Sequence, residues 1–204
     1  TLKGNDSAMK PITRVFFLIL VTLLLNACAS QQPSLQQPNV DEQTSRLASL
    51  NTWLIEGKIA FRGPSNNNSG YLKWQQTNDS YAIRVHGPLG QGNREISGNG
   101  SYIELSLPAG TVSSDQPEQF LYEQTGWTLP ISELRYWVKG LAAPSLGITR
   151  IKQDIYITKL SQNGWDISYS KHQLINSVWL PGKIIISKDL HKVIILAKDW
   201  TLIN

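Results

Sequence analysis

Hydrophobic residues recur at every second position along much of the chain from Trp53 onward. The alternation runs through residues 72–75, 81–86 and 103–107, where large apolar side chains alternate with polar or charged ones. Because successive side chains of a β-strand point to opposite faces, a period of two indicates strands with one buried face. The pattern therefore predicts a sheet that packs one side against a core.

The strongest short hairpin signal is Asn163-Gly164, which follows the strand-like residues 157–160 and precedes an alternating stretch, Trp165, Ile167 and Tyr169. Asn-Gly suits the positive φ angles of a two-residue hairpin turn. The sequence predicts a hairpin here, followed by two further strands near residues 179–187 and 192–201.

Three stretches show helical spacing instead. Residues 44–51 predict a short helix that begins after the possible caps Thr44 and Ser45. Residues 114–117 can cap and begin a second helix, which stops at Gly126. A third follows Pro130 and ends at Gly140, with one apolar face made of Ile131, Leu134, Trp137 and Val138. Many short strands with one helical insertion predict an α+β domain, in which helices partly cover a strongly curved antiparallel sheet or open barrel.

The N-terminal segment has the features of an export signal. Residues 9–14 are basic, residues 15–25 are apolar, and Ala27 precedes Cys28. The apolar stretch is about half as long as a bilayer core requires, which favours a signal peptide over residues 9–27 rather than a permanent span. It resembles the bacterial lipoprotein signal, whose cysteine is lipidated and becomes the mature N-terminus. Ala29, the residue after this cysteine, resembles the pattern of lipoproteins that are sent on to the outer membrane. The alternative for Cys28 is a buried free thiol.

Residues 28–43 are rich in Gln, Ser and Pro and almost devoid of apolar residues. Such a composition predicts a lipidated N-terminus followed by a flexible tether. The folded domain is then expected over residues 44–204.

Composition and charge narrow the possible partners. The formal net charge is +4, and removal of residues 1–27, which contain Lys3, Lys10, Arg14 and Asp6, leaves +2. A charge this small gives no argument for a nucleic-acid partner. Because Cys28 is the only cysteine, an intrachain disulfide or a zinc site with several cysteines is excluded.

No catalytic or metal motif stands out. The three histidines, His86, His172 and His191, are far apart and lie outside metal or nucleophile motifs. The glycines of residues 90–95 lack the phosphate-loop spacing and predict a hairpin loop. We expect no metal, cofactor or nucleotide, so any work on a ligand must run downhill in free energy.

Two apolar features remain open to interpretation. The seven tryptophans are by default core residues, but inward-facing aromatic side chains can also wall a cavity in a wide barrel. Leu89 lies at a predicted loop tip, and single exposed leucines usually have no function.

The chain resembles the LolB family of outer-membrane lipoproteins, which receive other lipoproteins from the periplasmic carrier LolA. The resemblance spans nearly the whole chain and rests on residues 25–28, Trp74-Gln75-Gln76 with Tyr81, Pro88-Leu89-Gly90, residues 126–131 and 134–140, and more weakly on Trp165, Tyr169 and Asp199-Trp200.

This resemblance implies an incomplete antiparallel β-barrel with a short helical lid over a hydrophobic cavity. It implies a monomeric receptor, anchored by lipid on Cys28, that faces the periplasm and takes acylated cargo from a LolA-type carrier. The leucine of the Pro88-Leu89-Gly90 loop is then expected to insert into outer-membrane phospholipid. Candidate cavity-lining residues are Trp74, Ile83, Trp137 and Trp165.

Two other classes of function stay open. A lipid-modifying enzyme on the same barrel needs a nucleophile near His86 or His172. A structural lipoprotein that scaffolds an envelope complex needs no cavity, and its tryptophans then all belong to a solid core.

Overall fold

The computed structural model describes residues 39–64, 67–90, 92–107, 109–125, 129–144 and 147–203. The predicted signal peptide over residues 9–27, Cys28 and the tether as far as residue 38 lie outside these residues. Part of the predicted link between the second and third helices, residues 126–128, lies outside them as well. The described residues all belong to one compact unit, Gln37–Asn204.

In this part of the chain there are 13 strands and three α-helices. The strands are β1 (Thr52–Arg62), β2 (Asn67–Thr77), β3 (Ser80–His86), β4 (Arg94–Asn99), β5 (Tyr102–Leu107), β6 (Gly110–Ser114), β7 (Ile148–Gln153), β8 (Ile157–Gln162), β9 (Trp165–Ser170), β10 (Gln173–Ile175), β11 (Val178–Leu180), β12 (Lys183–Lys188) and β13 (His191–Leu202). The helices are α1 (Val40–Ser49), α2 (Pro117–Thr125) and α3 (Ile131–Trp137). Over the described ranges, every helix is too short or too polar to cross a bilayer.

Eleven strands form one antiparallel sheet in the order β6-β5-β4-β3-β2-β1-β13-β12-β9-β8-β7. Most neighbours in this order are also neighbours along the chain, as short hairpin connections require. Strands β10 and β11 pair in a separate two-stranded sheet. The large sheet is not closed, because β6 and β7 remain its edges. This agrees with the predicted antiparallel, incomplete barrel.

One face of the large sheet forms the core, as the alternation predicts. Leu72, Trp74 and Ile103 are among the buried side chains of this face. Trp53 packs between two other indoles, with ring centroids 5.3 Å from Trp74 and 5.4 Å from Trp200. Tilted aromatic pairs at this separation are favourable beyond the area they bury. They hold the centre of the sheet at β1, β2 and β13.

The helical insertion covers part of the same face, and the structure confirms its two helices. The Ser114 Oγ accepts a hydrogen bond from the Gln116 N–H just before α2. After α3, Gly140 adopts a positive φ of 83°, which suits glycine at a helix end. The two helices contribute apolar side chains to the main core, namely Phe120, Leu121, Ile131, Leu134 and Trp137.

The prediction for the first helix is wrong at its start. Helix α1 begins at Val40, where the Asn39 Oδ1 accepts a hydrogen bond from the Glu42 N–H at 2.8 Å. Asn at the cap with Glu three residues later is a helix-start signal, but it is hidden in Gln- and Pro-rich sequence. Residues 40–43 therefore belong to the folded part and not to the tether.

The predicted strand over residues 179–187 is also wrong, because Pro181-Gly182 divides it. Residues before this point form β11 in the small sheet, and residues after it form β12 in the large one. The Gly182 N–H donates to the Lys171 carbonyl, and a Cβ on Gly182 would lie only 2.3 Å from that oxygen. The close approach requires glycine, so the chain changes sheets here.

Two side chains fasten α1 to the rest of the fold. The amide of Gln43 pairs with the backbone of Trp179 as a neighbouring strand would, donating from Nε2 to its carbonyl at 2.7 Å and accepting its N–H at 3.0 Å. At the other end of α1, the Lys139 Nζ donates to the carbonyls of Leu47 and Leu50 at 3.0 and 2.7 Å. These bonds satisfy carbonyls that a helix end leaves unpaired.

A second buried amide, that of Gln162, organises the segment after α3. The Oε1 of Gln162 accepts both the Trp137 indole N–H at 2.8 Å and the Ala143 N–H at 2.9 Å. Its Nε2 donates to the Ala143 carbonyl at 2.8 Å. Gln162 is fully buried, so these groups have no access to water.

The substitution Gln162→Leu is expected to lower the free energy of unfolding by about 3 kcal/mol. It keeps the volume but deprives the Trp137 indole and the Ala143 backbone of their Gln162 partners in the core, and buried polar groups without partners cost about 1–3 kcal/mol each. Urea denaturation measures the change. Gln75→Leu, at an exposed position of β2, is the control and should change stability by less than about 0.5 kcal/mol. Equal stability of the two variants would show that the Gln162 bonds contribute little.

Lys139 gives a pH-dependent prediction. Burial, with the nearby charge of Arg135, lowers the pKa of Lys139 from 10.5 to about 8. Between these values the unfolded chain binds more protons at this site than the folded one, so stability should rise with pH. From pH 8 to 9.5 the gain is about 2 kcal/mol. The neutral amine still has two N–H groups for its two carbonyls.

Urea denaturation at several pH values checks this, with Lys139→Met as the comparison. The variant removes the titrating group, so the difference in unfolding free energy between the two proteins should grow as the pH rises. Above pH 10 both proteins should lose stability together, because burial raises the pKa of Tyr169. A constant difference between pH 8 and 9.5 would contradict the assignment to Lys139.

Candidate functional site

The loop between β3 and β4 presents a leucine to solvent. Leu89 is 97% exposed, and Pro88 and Gly90 on either side are also exposed. A short 3-10 turn forms here, in which the Gly90 N–H donates to the Gly87 carbonyl at 3.2 Å. Leu89 has a φ of 60°, a left-handed conformation that costs a residue other than glycine about 1–2 kcal/mol. The loop thus exposes a large apolar side chain in a strained conformation, and folding gains nothing from it.

An apolar cleft of about 410 Å³ lies between the inner face of the sheet and α2. Its walls are apolar side chains from β1, β3, β4, β5 and α2, namely Phe61, Ile83, Val85, Ile96, Leu105 and Leu121. These strand residues belong to the buried face that alternation predicts, but α2 covers them only in part. The cleft is therefore a portion of the inner face that the helices leave open.

The rim of the cleft is polar and borders the Leu89 loop. Gly87 and Gly92, from the two ends of that loop, line the cleft together with His86, Arg94 and Gln124. The His86 ring stacks on Tyr71 with centroids 5.3 Å apart. Arg94 is exposed and forms no salt bridge with any residue that the structure describes. The cleft mouth and the exposed leucine are thus parts of one surface.

Ion pairs and hydrogen bonds fix the strands and helices around the cleft, one beside the loop and the others at the far end of the sheet. The Arg84 Nη2 lies 2.6 Å from the Glu95 Oε2, across the β3–β4 pair that supports the loop. In the helical insertion, Arg135 pairs with Asp79 in the turn between β2 and β3. The Ser132 hydroxyl donates to the Glu118 Oε1 at 3.0 Å and joins α3 to α2. Burial, followed by the charge of Glu118, raises the pKa of Glu133 beside them.

The structure brings together some of the residues that the sequence predicts for a site. Ile83 lines the cleft, and the Pro88-Leu89-Gly90 loop lies beside its mouth. Trp74, Trp137 and Trp165 do not line it: Trp74 packs on Trp53, and the Trp137 and Trp165 rings pack with centroids 6.1 Å apart. These three indoles are core residues of the described fold. The sequence shows that these residues are large and face inward, but it does not show whether a helix or an open cleft lies above them.

Sequence reasoning missed most of the cleft. Alternation identifies Val85, Leu105 and Ile83 as inward-facing, but it does not tell which inward positions the helices cover. Phe61 and Ile96 lie where the strands approach the loop end of the sheet, and Leu121 faces them from α2. The cleft could have been predicted only by combining two features: an exposed loop, and inward-facing residues at the strand ends beside it. A short helical insertion covers such strand ends least.

The described residues hold no group suited to metal binding, since no three or more His, Cys, Asp or Glu side chains cluster there. His172 stacks on Tyr156 with centroids 3.6 Å apart, and burial lowers the pKa of His172. His86 stacks on Tyr71 at the cleft rim, and His191 follows the turn between β12 and β13. The cleft can take an apolar chain by burying it, with polar groups at its mouth.

Comparisons with known proteins agree on one family. The family model described as outer membrane lipoprotein LolB matches residues 51–200. The outer-membrane lipoprotein LolB of Chromohalobacter salexigens is 33% identical, over 94% of this chain and 92% of its own. That of Pseudomonas aeruginosa is 34% identical, over 92% and 95% of the two chains.

Among solved structures, a LolA superfamily protein from Nitrosomonas europaea superposes with a TM-score of 0.49 and 9% identity. The superposition covers 81% of this chain and 94% of that one. The sequence matches extend over most of the chain and include both the cleft and the Leu89 loop. The chain belongs to the LolB family of outer-membrane lipoproteins.

Proposed function

We propose that this chain accepts lipoproteins from a LolA-type periplasmic carrier, binds their acyl chains in the cleft, and inserts them into the inner leaflet of the outer membrane. The function as an outer-membrane lipoprotein receptor follows from membership of the LolB family. One observation carries the proposed mechanism: an apolar cleft opens beside a leucine that is 97% exposed. No nucleotide hydrolysis is required.

The cleft supports the binding of an acyl chain. Its volume of about 410 Å³ lies within the roughly 300–1,000 Å³ typical of ligand pockets. Each CH₂ group buried in an apolar environment gains about 0.8 kcal/mol, so an acyl chain cannot cross an aqueous space unprotected. A receptor whose cleft binds the chain 1.4 kcal/mol better than the carrier shifts the cargo about tenfold in its favour. Transfer can therefore proceed on an affinity difference alone.

The Leu89 loop supports the membrane step. A leucine that moves from water into lipid gains roughly 1.5–3 kcal/mol, and Leu89 loses no contacts by doing so. The Arg84–Glu95 pair stiffens the base of the loop, so the insertion of Leu89 also positions the cleft mouth at the lipid surface. Released acyl chains then pass from the cleft to the bilayer over a short distance.

The proposed anchor is lipid on Cys28, which two or more acyl chains make durable. The proposed tether would then run only from Cys28 to Asn39, because α1 begins at Val40. With the flexibility that its composition predicts, a chain of this length would reach about 20 Å. Gln43 and Lys139 fix α1 to the fold, so the domain would stay close to the inner leaflet and face the periplasm.

The substitution Leu89→Glu is expected to keep acyl binding and to impair delivery of cargo to membranes. A carboxylate does not enter lipid, whereas the cleft and the fold do not contact Leu89. The measurement is insertion of a triacylated lipoprotein into outer-membrane vesicles, with binding of a fluorescent acyl probe followed in parallel. Leu174→Glu, which adds the same charge at another exposed leucine, is the matched control, and Leu89→Met, which stays apolar without branching at Cβ, should retain delivery. Normal insertion by Leu89→Glu would refute the loop role.

The receptor step is tested by mixing a carrier loaded with triacylated lipoprotein with the Cys28→Ala protein, in the absence of nucleotide. Pull-down should find the cargo on this chain. Val85→Trp, which fills the cleft, should reduce transfer severalfold, and Gln75→Trp on the outer face of β2 should not.

The other possible results distinguish the remaining classes of function. Cargo that stays on a functional carrier would remove the central claim of the receptor mechanism and favour a scaffold. Cargo that returns with an altered acyl ester would indicate a lipid-modifying enzyme.

A further inference from the structure

The two ends of the large sheet carry different turns. Arg62 is opposite Lys192 on β13, and Lys58 and His86 are both opposite Tyr71 on β2. This register places the β3–β4 loop and the β12–β13 turn at the same end, which we call the leucine end. Both carry an exposed leucine, Leu89 and Leu190. At the opposite end, the described turns have polar tips at Asn78-Asp79, Gly100-Ser101 and Asp154.

Leu190 has no role in the fold that accounts for its type. It is 76% exposed and forms, with Asp189, the two-residue turn between β12 and β13. Asp189 has a φ of 51°, which a turn of this kind demands and which Asp tolerates. The turn does not require leucine at position 190, and a polar residue there would form the turn equally well. A single exposed leucine is ordinary, so its surroundings decide the argument.

Those surroundings carry three cations against the one carboxylate of the turn, Asp189. Lys188 and Lys192 flank the turn, and Arg62 lies in register with Lys192. The Lys188 Nζ lies 5.7 Å from the Trp165 ring centroid, a cation–π contact at this end of the sheet. None of the three cations forms a salt bridge within the described chain. An apolar tip surrounded by cations matches the order of a membrane surface, with hydrocarbon beneath phosphate groups.

We propose that the Asp189–Leu190 turn is a second membrane contact, in which Lys188, Lys192 and Arg62 bind the phosphates of anionic phospholipids and Leu190 enters the interface. The proposal rests on the proposed function in that it assumes a receptor working at a bilayer. In the order of strands, the turn is four strand spacings from the Leu89 loop, about 19 Å along the sheet. Two contacts at this separation fix the orientation of the cleft mouth, which a single contact on a flexible tether leaves free.

Leu190 burial is tested directly with a probe. Residues 37–204 hold the whole described core and contain no cysteine, so Leu190→Cys provides a unique site for an environment-sensitive fluorophore. Vesicles of phosphatidylethanolamine with phosphatidylglycerol should shift its emission to the blue, and vesicles of phosphatidylethanolamine alone should do so much less. Ser101→Cys, at the opposite end of the sheet, is the control and should not respond to either.

The cations are tested by vesicle co-sedimentation. Each lysine near an anionic surface strengthens partitioning about fivefold, so Lys188→Gln with Lys192→Gln should weaken binding to anionic vesicles about 25-fold at low salt. Lys152→Gln with Lys159→Gln removes the same charge from β7 and β8 and should change binding far less. Equal losses in the two pairs would overturn the assignment to this turn and leave a general charge effect.

The outcomes separate this inference from the proposed function. If a probe at position 89 enters lipid while the probe at position 190 stays in water, the second contact is refuted and the receptor function stands. If neither probe enters lipid and no cargo leaves the carrier, both fail. If both probes enter lipid and only the Lys188 and Lys192 substitutions weaken binding, the second contact is established.

Discussion

The structure depends on an inner sheet face that is too large for its helices to cover. Eleven strands present alternating apolar side chains to one side, while α2 and α3 together contribute only four to five turns of helix. Where the helices pack, the face becomes a solid core that contains Trp53, Trp74 and Trp137. Where they end, the same kind of apolar surface remains open and forms the cleft. Core and cleft are thus one surface, divided by the reach of the helical insertion.

This division must be specific, and hydrogen bonds and ion pairs make it so. Hydrophobic burial is not directional, and a short helix could slide over an apolar sheet with little change in the area it covers. Gln162 accepts a hydrogen bond from the Trp137 indole N–H, and Arg135 pairs with Asp79, so α3 has a defined position on the sheet. Gln43 and Lys139 do the same for α1. Because the helices are fixed, the cleft stays at the leucine end of the sheet, next to Leu89.

Much of this fold could be predicted from the sequence, because alternation, Asn-Gly turns and helix caps are local signals. They identify the buried positions of β2, β3 and β5, the Asn163-Gly164 hairpin and both helices of the insertion. The start of α1 was missed because its Asn39 cap lies in polar sequence. The sheet change at Pro181-Gly182 was missed because it depends on Lys171, which is distant in sequence.

The candidate site was less predictable, because much of it depends on contacts between segments that are distant in sequence. Leu89 is exposed by its own loop, so its neighbours in sequence suffice to identify it. The cleft lining depends instead on which inward residues the helices leave uncovered, and that is set by contacts between distant segments. Trp74, Trp137 and Trp165 face inward as predicted, yet they lie under the covered part. Leu190 was also missed: Lys188 and Lys192 are its neighbours in sequence, but its exposure and the approach of Arg62 are visible only in the fold.

A partly covered cleft suits a receptor better than a sealed cavity would. On the proposed function, cargo must leave the cleft as readily as it enters, and each CH₂ group that stays buried adds about 0.8 kcal/mol to the free energy of release. A cleft open at its mouth buries fewer of these groups and so binds an acyl chain less tightly than the bilayer does. On the two proposed membrane contacts, the exposed leucines would matter for kinetics as well as for attachment. By holding the open mouth against lipid, they would let each CH₂ group pass from the cleft to the bilayer without exposure to water.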